Sequence, residues 1–210
     1  MTSQLSTPQD LARWRPRITH TRRQTDPRAA EEAAADFLSA LGVDLDDEST
    51  AETPRRMART YAELLAVPEF DMTTFPNVEG YDELVLVENI PVHSLCEHHM
   101  LPFVGLAHVG YLPGERILGL SKLARLVEFH ARHAQTQERL TKRIADHLQR
   151  QLTPYGVGVV IEAEHTCMSI RGARVPGART VTSALFGQLR DDAASRAEFL
   201  SLARPSRGPR

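Results

Sequence analysis

The chain has 210 residues, of which 41% are hydrophobic and 25% are charged, and its formal net charge is -2. This composition supports one hydrophobic core, and the near-neutral charge gives no electrostatic reason to expect nucleic acid or an anionic membrane as a partner. No stretch approaches the roughly 18 apolar residues of a membrane span, and no secretory signal begins the chain. We therefore expect a cytoplasmic protein.

Both ends of the chain are polar and rich in arginine. Residues 1–28 contain six arginines and are predicted to form a disordered basic arm, which is more often solvated than bound to nucleic acid. Residues 204–210 are predicted to be a frayed C-terminus. The folded domain is therefore expected over residues 29–203.

The first part of this domain, residues 29–67, is predicted to be helical. The run Ala29–Leu41 is rich in alanine and glutamate, and Gly42 is expected to end that helix. Thr53 is expected to cap a second helix that has Pro54 in its first turn. The apolar residues of this helix follow the spacing of one buried face: Met57, Tyr61, Leu64 and Leu65.

A loop rich in proline follows, and the catalytic part of the domain is expected over residues 81–203. Short apolar runs predict strands at Leu84–Val87, Ile90–Val92, Phe103–Tyr111 and Ile117–Leu120. Two helices are predicted next, one capped by Ser121 and ending near His133, the other over Thr136–Leu152.

More strands and a final helix are predicted after Pro154. The strands are Val157–Ala163, Met168–Arg171 and Thr180–Phe186, and the amphipathic helix is Asp191–Ala203. Strands, a helix pair and further strands in this order predict an α+β fold, with an antiparallel sheet packed against helices.

The two cysteines of the chain each lie beside histidines, in Cys96-Glu97-His98-His99 and His165-Thr166-Cys167. Two thiolates and one imidazole suit Zn²⁺, and a catalytic zinc site has three protein ligands and an open water position. A disulfide and inert buried cysteines are the alternatives, but neither accounts for the neighbouring histidines. The residue order leaves open which histidine is a ligand and which is a proton donor or a supporting residue.

Other polar clusters predict a substrate site. Lys122 and Arg125 at a helix start could bind an anion, although such cations are commonly solvated. Glu138 could accept paired N–H donors from a guanine-like edge, and Arg171 would add a cation beside the metal. Together these residues predict a site for a phosphorylated, nitrogen-rich small molecule next to a zinc-activated water.

Several segments closely resemble the signature segments of GTP cyclohydrolase I, in the order and approximate spacing of that family. The main ones are Cys96-Glu97-His98-His99, Gly119-Leu120-Ser121-Lys122-Leu123-Ala124-Arg125, Gln135-Thr136-Gln137-Glu138-Arg139-Leu140-Thr141 and His165-Thr166-Cys167-Met168. The resemblance extends over about residues 29–203 and includes Thr53-Pro54-Arg55-Arg56 and Glu198-Phe199-Leu200.

The resemblance implies a role for each matching residue. The zinc ligands would be Cys96, His99 and Cys167, and the catalytic residues would be His98, His165, Ser121 and Gln137. Glu138, together with Gln137, would hold the guanine. The residues around the ribose and triphosphate would be Arg56, Ser121, Lys122, Arg125 and Arg171.

The resemblance also implies a fold, an assembly and a reaction. The fold would be the tunnelling fold, and the chain would form a toroidal homodecamer with active sites between subunits. GTP would be hydrolysed at C8 by a zinc-activated water, with release of formate and rearrangement to 7,8-dihydroneopterin triphosphate. His165 is the favoured proton donor to N7, while His98 and Ser121 would move protons in the ribose steps.

One departure and four rivals accompany this interpretation. The loop 172–179 has a Pro176-Gly177 pair, and Ala178 stands where many family members have serine. A structural zinc scaffold would have no use for Glu138, Lys122 and Arg125. A pterin synthase would need three histidine ligands, and a nitrile reductase would need a nucleophilic cysteine without zinc. The Pro-Cys-x-x-Cys segment of zinc deaminases is absent from the sequence.

Overall fold

The computed structural model describes residues 25–204, which form two compact units over residues 25–67 and 68–204. The predicted arm therefore lies outside the described residues up to position 24. In the first unit, helix α1 spans Pro27–Ala40 and begins two residues before the predicted start. The Asp26 side chain caps it by accepting a hydrogen bond from the backbone N–H of Ala29. Gly42 follows the helix with φ +80°, a conformation that favours glycine.

Helix α2 of the first unit spans Thr53–Leu64. The prediction that Thr53 caps this helix is wrong, because Thr53 is its first helical residue and Glu52 is the cap position. The backbone N–H of Thr53 already donates to the carbonyl of Thr50 at 2.8 Å, so a turn before the helix satisfies the group. Pro54 lies in the first turn as expected.

The second unit combines seven strands with five helices. Its strands are β1 Thr74–Pro76, β2 Val85–Cys96, β3 Pro102–Leu112, β4 Arg116–Leu118, β5 Ala134–Gln135, β6 Gly156–His165 and β7 Arg179–Gly187. Its helices are α3 Ser121–Ala131, α4 Gln137–Leu152, α5 Thr166–Ser169, α6 Gln188–Asp191 and α7 Ala193–Leu202. The main sheet has the order β5-β2-β3-β6-β7, and β1 pairs with β4 in a separate ribbon.

The main sheet is antiparallel except where the short strand β5 runs parallel to β2. Helix α3 packs on β2, and α4 packs on β6 and β7. The apolar positions of α4 follow helical spacing and are fully buried: Leu140, Ile144 and Leu148. These layers confirm the predicted α+β fold.

A smaller apolar cluster lies where α6 and α7 meet the sheet. It contains Leu112, Val160, Leu189, Phe199 and Ala203. A Cβ on Gly158 would lie 2.6 Å from the Phe199 ring, so the glycine makes room for this aromatic side chain. The close approach explains why the strand tolerates a glycine here.

Strand β2 is longer than the sequence predicts. Its two apolar runs form one strand because a bulge between Val87 and Ile90 accommodates one extra residue, with Glu88 and Asn89 opposite His108 and Asn89 at φ 56°. The predicted strand Met168–Arg171 is wrong, since the chain forms the helical turn α5 after the β3–β6 pairing ends at His165.

Two further helix predictions are corrected by the structure. Ser121 does not cap α3 but is its first residue, because Leu120 before it is already in the helical conformation. The predicted C-terminal helix Asp191–Ala203 is observed as α7, which begins two residues later, and the short helix α6 precedes it without having been predicted. Asp192 caps α7, because its side chain accepts a bond from the N–H of Ser195 at 2.7 Å. None of the helices within residues 25–204 has the length and apolar character needed to cross a membrane.

His108 on β3 is fully buried, and neither ring nitrogen has a hydrogen-bond partner among the described residues. Burial lowers the pKa of His108 below its ordinary value of 6.5, although Glu88 and Glu162 act in the opposite direction. The unfolded chain therefore takes up this proton at a higher pH than the folded chain. Below about pH 6.5, the free energy of unfolding should fall as the pH falls.

We expect His108→Leu to reduce this acid sensitivity, because leucine has no proton to take up on unfolding. The measurement is chemical unfolding of both proteins at about pH 7.5 and about pH 5.5. The variant should lose less unfolding free energy between the two conditions than the native protein. Equal losses would show that His108 does not contribute to the acid sensitivity.

Candidate metal centre and active site

Three predicted metal ligands converge at one end of the main sheet. Cys96 is the last residue of β2, His99 lies in the following turn, and Cys167 lies in α5. One ligand atom from each of them lies within 4.8 Å of the other two. The structure thus forms a Cys-His-Cys group that could hold a metal ion.

The strand pairing explains this convergence. The backbone N–H of Cys96 donates to the carbonyl of Leu101 at 2.8 Å, which closes the turn between β2 and β3. Strand β6 runs antiparallel to β3 and ends with His165 opposite Phe103. The Thr166 hydroxyl then donates to the carbonyl of Pro102 at 2.7 Å and holds α5 beside the turn.

The chemistry of the three side chains fits a cation. Burial raises the pKa of the Cys167 thiol, and the nearby Cys96 raises it further, while Arg171 lowers it. A cation between the sulfur atoms would reverse this penalty by stabilising both thiolates. The 4.0 Å from Cys96 Sγ to His99 Nδ1 is close to the roughly 3.5 to 4 Å that separates ligand atoms around a tetrahedral metal.

His98 lies close to this group but is not one of its three members. Its Nδ1 atom is 3.9 Å from Cys96 Sγ, and its side chain is exposed. Glu97 forms an ion pair with Arg139 of α4, which joins the metal-binding turn to the helix that carries Glu138. The sequence alone predicts no role for Glu97 or Arg139.

His165 is held in a defined position at the end of β6. Its ring stacks on Phe103 with a centroid distance of 4.6 Å and an interplanar angle of 13°. Its Nε2 atom lies 2.8 Å from Gln137 Oε1. Burial lowers the pKa of His165, and the opposing charge of Glu138 does not reverse the shift.

Two further predicted site residues, Glu138 and Arg171, act electrostatically on members of the site. Glu138 is exposed in the first turn of α4, after the cap residue Thr136, and its charge acts on His165. Arg171 is exposed and acts on Cys167.

The other cations and the serine predicted for the substrate lie elsewhere in the chain. Ser121, Lys122 and Arg125 lie in the first two turns of α3, and within residues 68–204 no hydrogen bond or ion pair joins them to the metal group. Arg56 belongs to the unit 25–67, where its guanidinium donates to the carbonyl of Ser49 at 3.0 Å.

The fold and the site define an α+β protein with a Cys-His-Cys group that could hold a metal ion and, two residues before Cys167, a histidine ring that is held in a defined orientation. The sequence profile of GTP cyclohydrolase I matches residues 30–204. A GTP cyclohydrolase 1 from Mycobacteroides abscessus is 54% identical over 182 residues, which are 84% of this chain and 89% of the relative. Proteins with the same name from Streptomyces avermitilis and Aquifex aeolicus are 54% and 50% identical, and the matches cover 90% and 97% of these relatives and 84% and 85% of this chain.

This chain belongs to the GTP cyclohydrolase I family. The family membership predicted from the signature segments over about residues 29–203 is therefore confirmed. Its α+β fold, with a mainly antiparallel sheet packed against helices, is the fold expected for that family.

Proposed function

We propose that this chain catalyses the zinc-dependent hydrolysis of GTP at C8, releasing formate and forming 7,8-dihydroneopterin triphosphate. This reaction is the first step of tetrahydrofolate and pterin biosynthesis. The observation that carries the proposal is the convergence of Cys96, His99 and Cys167 next to the oriented ring of His165. Relatives that share half or more of the aligned sequence are named GTP cyclohydrolase 1, which supports the same substrate here.

In this proposal, Cys96, His99 and Cys167 hold Zn²⁺ by two sulfur atoms and one imidazole nitrogen. When bound at such a site, zinc lowers the pKa of a water molecule towards about 7 and so supplies the nucleophile for C8. The Nδ1 atom of His98 lies 3.9 Å from Cys96 Sγ, and the ring is exposed. We therefore assign His98 a part in the proton transfers of the reaction.

The histidines and Ser121 carry the proton transfers of the proposed reaction. His165 donates a proton to N7 of guanine as water attacks C8, the imidazole ring then opens, and a second hydrolytic step releases C8 as formate. His98 and Ser121 then move protons while the ribose opens, rearranges and closes on the amino groups.

Charged residues bind the two ends of GTP. Glu138 accepts two N–H bonds from the guanine edge, because its carboxylate is exposed beside His165. The triphosphate and ribose are held by Arg56, Ser121, Lys122, Arg125 and Arg171. All five side chains are fully or partly exposed, as groups that bind a soluble anion must be.

Lys122→Ala and Arg125→Ala should each raise the KM for GTP by roughly tenfold, because each removes a charged hydrogen bond to the triphosphate. The remaining binding should depend less on salt, which screens such contacts. Kinetics at two ionic strengths test this expectation. Arg150→Ala, which removes an exposed cation from the far end of α4, is the matched control. Equal KM values in all three variants would mean that α3 presents an ordinary solvated face.

We also propose that the chain works in the cytoplasm as a homo-oligomer, most simply a decamer with active sites between subunits. A reducing compartment keeps both thiols available as ligands. Strand β7 ends the main sheet with Val181 58% exposed, and an edge of this kind favours pairing with another chain. Within residues 68–204, no hydrogen bond or ion pair joins Lys122 or Arg125 to the metal group, as is expected if another subunit completes each site.

Light scattering combined with activity measurements over a dilution series tests the assembly. We expect a large ring-shaped oligomer whose activity disappears as it dissociates, because a lone subunit has an incomplete site. Full activity in a monomer would refute the shared site, even if zinc binding were unchanged.

The direct test of the reaction is incubation of the zinc-loaded protein with GTP. Formate and a pterin that fluoresces after oxidation are expected in equal amounts, and neither should form from ATP. The zinc-stripped protein is the control. Absence of both products from protein shown to contain zinc would exclude the proposed reaction.

A further inference from the structure

The side chain of Gln137 is only 1% exposed, and both ends of its amide are used inside the protein. Its Nε2 atom lies 3.0 Å from the carbonyl oxygen of Ile161, 2.9 Å from that of Thr180 and 3.1 Å from Thr182 Oγ1. Its Oε1 atom lies 2.8 Å from His165 Nε2. The amide therefore joins α4 to β6 and β7 and touches the candidate catalytic ring.

The neighbouring groups determine which end of the amide faces His165. Two carbonyl oxygens can only accept hydrogen bonds, so the NH₂ group must face them and the oxygen must face the imidazole. The threonines agree with this orientation. The Thr141 hydroxyl donates to the backbone carbonyl of Gln137 at 2.8 Å, so in its 2.6 Å contact with Thr182 it must accept. The Thr182 hydroxyl therefore donates to Thr141, and the Thr182 oxygen can accept from Gln137 Nε2.

The orientation of the amide determines the tautomer of His165. An amide oxygen accepts and cannot donate, so the 2.8 Å contact requires a proton on His165 Nε2. The neutral ring then has its lone pair on Nδ1. The stacking on Phe103 opposes rotation of the ring about its Cβ–Cγ bond, which would replace Nε2 by Cε1 beside Gln137.

We propose that Gln137 is a positioning residue that holds His165 as its Nε2–H tautomer, so that this histidine exchanges protons with the substrate through Nδ1. The inference rests on the proposed function, and it assigns Gln137 to His165 instead of to the guanine. A saturated amide buried between a helix and two strands has no donor left for a base. Glu138 alone then recognises the guanine edge.

The proton transfer is balanced with this arrangement. The imidazolium has protons on both nitrogens; it gives the Nδ1 proton to N7 and becomes the neutral Nε2–H ring, and water later returns a proton to Nδ1. The bond from Nε2–H to Gln137 persists in both states, so the ring does not reorient between them. The position of the reactive nitrogen is thereby fixed before the substrate binds.

Solid-state NMR of sedimented, zinc-loaded protein with ¹³C,¹⁵N-labelled histidine tests the tautomer at about pH 8, where an imidazole is neutral. His165→Asn identifies the resonances of this ring among nine histidines. We expect a protonated Nε2 and an unprotonated Nδ1 in the native protein and a mixture of tautomers in Gln137→Leu. An Nδ1–H ring in the native protein would overturn the proposal, and this spectrum decides even if Gln137→Leu fails to fold.

Gln135→Leu is the matched control for that variant. Gln135 is also fully buried two residues away, but its amide bonds to the carbonyl of His130 and to Ser94 instead of to His165. Gln135→Leu should therefore keep the Nε2–H tautomer of His165. Loss of the tautomer preference in both variants would mean that general loosening of the core, and not Gln137, is responsible.

Kinetics separate positioning from substrate binding. Gln137→Leu should lower kcat by roughly ten- to a hundredfold and leave the KM for GTP within about threefold, because the lost bond orients a proton donor. A tenfold rise in KM at unchanged kcat would return Gln137 to the guanine site and overturn the proposal. Failure of the native protein to release formate would instead refute the proposed function, while the tautomer would still be measurable.

Discussion

Replacing Cys167 with serine is expected to abolish stoichiometric zinc binding and, with it, formate release from GTP. A serine hydroxyl stays protonated near neutral pH, whereas the cysteine binds a metal as the thiolate. Loss of a direct ligand should weaken zinc affinity by more than the roughly 10- to 100-fold caused by loss of a hydrogen bond to a ligand. Metal analysis of the purified variant, together with its activity at saturating zinc, is the measurement.

The two histidines of the metal-binding turn provide the comparison for this variant. His98→Ala should retain zinc but lose most activity. His99→Ala should lose zinc, because His99 forms the candidate metal group together with Cys96 and Cys167. Zinc retained in His99→Ala and lost in His98→Ala would exchange the roles of the two rings. Zinc retained in Cys167→Ser would remove Cys167 from the site.

The sequence predicts the main elements of the fold well because burial leaves a local pattern. The helical spacing along α4 and the apolar runs of β3 and β6 each correspond to an observed element. Local patterns fail where the outcome depends on a distant partner. Met168–Arg171 has the composition of a strand, yet Met168 and Ser169 lie in α5, and the pairing of β6 with β3 ends before them at His165.

Short elements and helix ends show the same limit. Strand β5 contains only two residues, and it exists because Leu95 and Cys96 lie alongside it. Thr53 and Ser121 have the side chains of helix caps, but the turns before them already satisfy the first backbone groups. The bulge at Asn89 joins two predicted strands into one, and no residue spacing in that segment indicates it.

The site was predictable in its residue types more than in its contacts. The spacing of the Cys96 and Cys167 clusters indicates a metal, but it does not distinguish His98 from His99, which are adjacent and equally able to bind zinc. The geometry brings His99 into the three-residue group. Glu97 could have been singled out as a charged residue between two ligands, whereas nothing in an apolar strand marks Phe103 as the residue that stacks on His165.

Glu138→Gln is expected to damage the use of GTP far more than it damages folding. The Glu138 side chain is exposed at the start of α4, so its removal leaves no buried group without a partner. In the proposed complex its carboxylate accepts two N–H bonds from guanine, while an amide offers one acceptor oxygen and turns a donor towards the other N–H. Loss of one charged hydrogen bond corresponds to about 1.5 to 3 kcal/mol, or roughly ten- to more than a hundredfold in kcat/KM.

The discriminating measurement is the ratio between the affinity for GTP and the affinity for ATP as a competitive inhibitor. A guanine contact must change that ratio, while a general electrostatic effect lowers both affinities. Glu128→Gln is the matched control, since it neutralises an exposed carboxylate on α3 that pairs with Arg132 and has no proposed contact with the base. Thermal unfolding of both variants should agree with that of the native protein. Unchanged discrimination between GTP and ATP in Glu138→Gln would remove Glu138 from the guanine site. The side-chain amide of Gln137 is already hydrogen-bonded to other residues of the protein, so the base would then have to be recognised by another residue or by another subunit.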